Sequence, residues 1–89
     1  MQLQIFKYMD ENRLNELTTV EVDGQIWFVA ADVCFLLGLT NPTESLRALE
    51  ADEKLTSEIL RSGQKRKVNL IDESGLYTLI YQVDLALLT

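Results

Sequence analysis

"RSGQKRKVNLI", residues 61–71, holds the densest run of ionic chemistry in the chain. Arg61, Lys65, Arg66 and Lys67 are four of its eight basic residues, and they fall within seven positions. Clustered Lys and Arg can neutralise phosphates and release their counterions, which gives an affinity that ignores base sequence. The whole chain works against this, with fourteen acidic residues and a net charge of −6. A local patch still acts inside a Debye length of about 8–10 Å even where the total is repulsive. The competing reading is a solvated hairpin whose charges stop a sheet edge from pairing with another chain. Alternate strand residues point to opposite sides, so Lys65 with Lys67, or Arg66 with a turn residue, are the largest sets that can face one partner.

Other chemistry is sparse. Histidine is absent and Cys34 is the single cysteine. That removes histidine-based acid–base and triad catalysis, an intrachain disulfide and an ordinary zinc site. Carboxylates are plentiful, but no pair is singled out, so neither an enzyme nor a bound cofactor or metal is expected. Cys34 reads as a small buried apolar residue rather than a reactive thiol. No apolar run approaches the roughly 20 residues of a membrane span, and Asp32 and Asp84 break the longest ones. "MQLQIFKYMDE" lacks the charged lead and long apolar stretch of a secretory signal. A cytoplasmic setting is expected.

These residues need a frame, and 89 residues provide one small domain. "LQIFKY" (3–8) alternates as a first strand, followed by a polar loop, "MDENRLNE". "LTTVEV" (17–22) and "QIWFV" (25–29) flank Asp23-Gly24. Asp-Gly between two β-rich runs is a hairpin signal, because a type I′ turn needs positive φ at both central positions. The period then changes: Ala30, Val33, Leu36 and Leu37 share a helical face, and Gly38 stops that helix. In "TNPTESLRALEADEK", Asn41 caps, Pro42 takes the first helical position and Glu44 completes a capping box, giving a second helix over 42–50.

"KLTSEIL" (54–60) and "KRKVNLI" (65–71) form a second hairpin around Ser62-Gly63. A last helix starts at Asp72 and keeps Leu76, Leu79, Ile80, Val83 and Leu87 at helical spacing. Gly75 in its first turn is unfavourable by about 0.5–1 kcal/mol relative to Ala, so it marks a place where another backbone passes close by. The expected fold is α+β: a mainly antiparallel sheet of two β-hairpins plus an N-terminal strand, with three short helices packed on it.

Within that frame the helix pair at 30–50 invites a helix-turn-helix reading, with Thr43, Ser45 and Arg47 at the front of a recognition helix. Glu44 and Glu50, and the long "GLTNP" connection, count against it. Trp27 and Phe28 point to opposite sides of one strand; an outward Trp27 would mark a partner surface or stack on bases. Tyr77 and Tyr81 stand one helical turn apart. The apolar end of the last helix, Leu85, Leu87 and Leu88, with Tyr81, is a candidate surface for a partner protein or a second copy.

Three blocks in order, "DGQIWFVAADVCFLLGLTNPTESLRAL", "ADEK" and "LIDESGLYTLI", closely resemble the BRO family amino-terminal domain (Bro-N), found in prophage antirepressors and baculoviral BRO proteins. The matching positions are Asp23 and Gly24, Trp27 and Phe28, Asp32 to Cys34, Leu37 and Gly38, Asn41, and Glu73 through Tyr77. The resemblance implies a non-enzymatic regulatory module that binds DNA; the 61–67 bases, with Arg47 at the helix pair, are the contacts expected from their charge and placement. The alternative it carries is antirepression by contact with a repressor protein, or self-association, without DNA. It does not bring an agreed set of base-reading residues.

Two features depart from the family pattern. "LTTVEV" has no basic residue before the Asp-Gly turn, and "YQVDLALLT" replaces a basic, aromatic final helix. Such an ending fits a chain that continues beyond residue 89, a prophage remnant, or a dimer that covers the tail.

Overall fold

The computed structural model describes the backbone of residues 2–10, 13–61 and 63–88, with side chains at 3–5, 15–61 and 63–83. The strands are β1 (Gln2–Asp10), β2 (Arg13–Val22), β3 (Gln25–Val29), β4 (Lys54–Arg61) and β5 (Gln64–Ile71). The helices are α1 (Ala30–Leu37), α2 (Pro42–Leu46) and α3 (Glu73–Leu88), with a 3-10 turn at Ala51–Glu53. One antiparallel sheet runs β1-β2-β3-β5-β4, and α1 and α3 pack against it. The domain is therefore α+β, as its alternating periods imply.

Three boundaries differ from expectation. The segment read as a polar loop is strand at both ends: β1 runs to Asp10, β2 starts at Arg13, and these two residues pair. The second helix stops at Leu46 rather than 50, and the chain regains regular structure in the 3-10 turn. The last helix has 16 residues and is not short.

Local chemistry accounts for the joints. Asp23 (φ 52°) and Gly24 (φ 81°) both occupy the left-handed region that the β2–β3 turn demands. Gly38 (φ 76°) ends α1, its N–H meeting the carbonyls of Cys34 and Phe35. Asn41 Oδ1 accepts from the Glu44 N–H at 3.2 Å, capping α2. Asp72 Oδ1 accepts from the Gly75 N–H at 2.8 Å, capping α3.

The sheet is buried on both faces where β3 meets the end of β5, and there Phe28-Val29 and Leu70-Ile71 are successive apolar residues. Leu70 and Ile71 are successive residues on opposite faces, and both are fully buried. Ile71 joins the helix-side core with Ala30, Val33, Cys34, Leu46, Leu49 and Leu79. Leu70 joins Val20, Val29 and Ile59 on the other face, with Trp27 and Val68 packed at the margin. Ile59 reaches Val20 from β4, three positions away in the sheet order, because the sheet coils around this second core.

Gly75 sits where expected, at a close approach. A Cβ there would lie 3.3 Å from the Glu53 carbonyl oxygen, from Ile71 Cβ and from Leu49 Cδ1. Glu53 locks the same junction. Its carboxylate accepts from the Glu50 N–H at 2.7 Å and from the Ser74 hydroxyl at 2.6 Å, and its carbonyl accepts from the Asp72 N–H at 3.1 Å. The Ser74 hydroxyl first, then the Glu50 amide and the nearby Lys54 charge, hold the Glu53 carboxyl below the ordinary glutamate pKa.

Candidate nucleic-acid interface

β4 and β5 form a two-stranded ribbon, and its register decides which bases can act together. The directly opposed pairs are Lys54 with Ile71, Thr56 with Asn69, Glu58 with Lys67, Leu60 with Lys65 and Arg61 with Gln64. Opposed residues in an antiparallel pair share a face. Lys65, Lys67 and Lys54 therefore lie on the face that carries Ile71, the helix side of the sheet. All three lysines are exposed, as are Thr56, Glu58 and Asn69 between them.

α2 flanks the base of this face. Thr43, Leu46 and Arg47 line a shallow depression together with Lys54 and Asn69. Lys54 Nζ donates to the Leu46 carbonyl at 3.3 Å, tying ribbon to helix. Thr56 Oγ1 and Asn69 Oδ1 are bonded across the strands at 3.3 Å. Arg47 is 73% exposed and pairs with Glu44 at 3.1 Å, a solvent-level contact that a phosphate could replace at small cost. The result is a line of four exposed bases, Arg47, Lys54, Lys67 and Lys65, with Glu58 beside Lys67.

The four clustered bases of the sequence do not share one face. Lys65 and Lys67 stay together on the helix side. Arg66 is exposed on the opposite face, where its guanidinium donates to Gln64 Oε1 at 3.0 Å. Arg61 is committed internally: its guanidinium donates to both Asp32 oxygens, at 2.9 and 3.1 Å, and stands 4.0 Å from Glu16. Asp32 also accepts the Thr18 N–H at 2.9 Å. β3 leaves the sheet after Val29, so this β2 amide would otherwise lose its ladder partner, and the first turn of α1 supplies a carboxylate in its place. Arg61 is a fold joint and leaves the candidate interface. Lys54 enters it, a residue that charge clustering alone does not select because only the ladder register brings it beside Arg47 and Asn69.

The helix-turn-helix expectation does not hold. Five residues of α2 are too few for a recognition helix, and Arg47 is its C-cap residue. Trp27 is half-buried against the Val20–Leu70 core rather than presented outward. Tyr77 and Tyr81 are 60% and 62% exposed on α3, and the Tyr77 hydroxyl donates to Glu73 at 3.1 Å, which raises its pKa. The side chains of Leu85, Leu87 and Leu88 lie outside the described residues. Cys34 is fully buried, and burial pushes its thiol pKa up. Among the described residues no acidic, Cys or His cluster could hold a metal, and no helix is long and apolar enough to cross a membrane.

A family model for the BRO family, N-terminal domain, matches residues 16–87, from the middle of β2 to the end of α3. Comparison with curated proteins and with solved structures gave no match. The matched span covers most of the 89 residues, and the chain belongs to this family. The family is a regulatory one, associated with phage regulatory and antirepressor proteins.

Proposed function

Taking the chain as a BRO-family amino-terminal domain, we propose that it is a non-enzymatic DNA-binding module of a phage or prophage antirepressor, working inside the bacterial cell. The observation that supports this is the line of Arg47, Lys54, Lys67 and Lys65 on one exposed surface. Each base that meets a phosphate releases condensed counterions, so a few such contacts provide binding despite an unfavourable net charge.

Fluorescence anisotropy of a labelled duplex, read at two salt concentrations, tests the reading. Wild-type protein binds in a salt-sensitive manner. Lys65→Glu/Lys67→Glu binds more weakly on every sequence, and its log–log salt slope is smaller by roughly 1.8, about 0.9 for each lost phosphate contact. Equal affinity and slope for the two proteins would remove the ribbon from the interface.

A second reading rests on Tyr77 and Tyr81, two large rings left exposed on one side of α3. Aromatic residues are enriched in protein interfaces, and an acidic chain is steered toward a basic partner such as a repressor. Absence of DNA binding at low salt, with repressor capture lost in Tyr77→Ala/Tyr81→Ala, would favour this reading.

A further inference from the structure

The helix-side face of the β4–β5 ribbon carries groups that a grip on phosphates does not explain. From the tip inward it presents Leu60 opposite Lys65, Glu58 opposite Lys67 and Thr56 opposite Asn69. All six side chains are exposed, and Leu60 leaves 62% of its surface in water. A carboxylate in the midst of the lysines repels phosphate. In a major groove the same carboxylate accepts from the cytosine amino group. Asn pairs with the adenine edge, and apolar groups meet the thymine methyl.

Shape agrees with composition. The major groove is about 12 Å wide and admits a two-stranded ribbon, whose strands lie about 4.8 Å apart. The three exposed rungs cover four residue steps, roughly 13 Å, which is the rise of about four base pairs. The bond from Thr56 to Asn69 fixes the orientation of the amide that would face the bases.

Resting on the DNA-binding reading above, we infer that the β4–β5 ribbon enters the major groove and reads about four base pairs with Glu58 and Asn69, while Lys65 and Lys67 keep their grip on phosphates. Arg47 and Lys54, beside its base, hold the flanking phosphates. Leu60 supplies an apolar contact at the tip. The partner is thus a specific duplex sequence, not nucleic acid in general.

Selection from a randomised duplex library with the whole chain comes first. It is followed by anisotropy on a selected and a scrambled duplex, for wild type, Asn69→Ala, Glu58→Gln and Arg66→Ala. A short enriched motif is expected, bound on the order of 10- to 100-fold tighter than the scrambled duplex. Asn69→Ala and Glu58→Gln each lose about tenfold on the selected duplex and little on the scrambled one. Arg66→Ala, on the other face, leaves the ratio unchanged. Salt-sensitive binding without an enriched motif would overturn groove reading and leave the DNA-binding function standing. A motif whose preference survives both substitutions would place the reading elsewhere and also overturn it. No binding at low salt would overturn both.

Discussion

Replacing Asp32 should do more damage than its position on a helix surface implies. Its carboxylate serves the β2 amide of Thr18 and the guanidinium of Arg61 on β4, so one residue of α1 pins both long hairpins. In Asp32→Ala the Thr18 N–H is left unpaired in a fully buried residue, which costs about 1–3 kcal/mol. Arg61, with 24% of its side chain exposed and Glu16 still at 4.0 Å, loses about 1 kcal/mol more once solvent screening is allowed for. The sum is roughly 2–4 kcal/mol, or a fall in Tm on the order of 10–30 °C for a domain of this size.

Asp32→Asn keeps an acceptor for Thr18 and removes only the charge, so about half the loss is expected. Urea denaturation followed by circular dichroism measures both variants, and Asp32→Asn/Arg61→Met closes the cycle. A coupling of about 1 kcal/mol between the two positions is expected. Asp32→Ala unfolding within about 0.5 kcal/mol of wild type, or strict additivity in the cycle, would refute the joint.

Gly75→Ala would gain about 0.5–1 kcal/mol from helix propensity in open space. Here two of its three 3.3 Å neighbours are backbone-anchored, the Glu53 carbonyl oxygen and Ile71 Cβ, so a net loss of about 1 kcal/mol is expected from crowding; a more stable variant contradicts the close approach. Glu53 has a folded pKa below its ordinary 4.5. Its contribution is therefore complete above that value and lost as pH falls through the folded pKa. Denaturation midpoints from about pH 6 to about pH 3 should converge for wild type and Glu53→Gln, and a constant gap would contradict the bonded carboxylate. Cys34, buried with a raised thiol pKa, should resist iodoacetamide in the folded protein and react on unfolding. Rapid labelling of the native chain would show the site to be open.

Elements defined by short-range chemistry are legible in the chain. Asp23-Gly24, Gly38, Asn41 and Asp72 each have a local backbone requirement, and each marks the boundary it should. The outer half of the β1–β2 hairpin is not legible in the sequence, for a physical reason. Its "MDENRLNE" residues show no period-2 alternation of apolar side chains, so strand and loop look alike there. No cap announces the end of α2 at Leu46, where the backbone passes into bonds of the i→i+3 kind from Arg47 to Glu44, Ala48 to Ser45 and Leu49 to Leu46. The joint between Arg61 and Asp32 spans 29 residues, and charge clustering hides it, because Arg61 resembles its lysine neighbours until the register turns it to the other face. Lys54 was hidden in the converse way, since its place beside Arg47 depends on two strands and a helix.

That register also resolves the conflict between an acidic chain and an anionic partner. Residues 54–71 contain five bases and one acid, and the remaining residues contain three bases and thirteen acids. The Asp23-Gly24 turn, Asp72 and Glu73 lie at the end of the sheet where β5 finishes, whereas Lys65 and Lys67 lie at the end where it begins. The ribbon spans seven residue steps, roughly 23 Å, more than two Debye lengths of about 8 Å at physiological salt. A phosphate at the tip therefore meets Lys65 and Lys67 with the far acids screened. Asp32, one of the nearer acids, is already bonded to Arg61. At about 0.01 M salt the Debye length grows to about 30 Å, and the full −6 opposes the approach. Opposition from the far acids thus strengthens as salt is removed, while counterion release gains. The proposed contact should therefore show a shallower salt slope at the lowest concentrations than at intermediate ones. A single straight log–log line across the whole range would mean that the two ends of the molecule are not electrostatically separate.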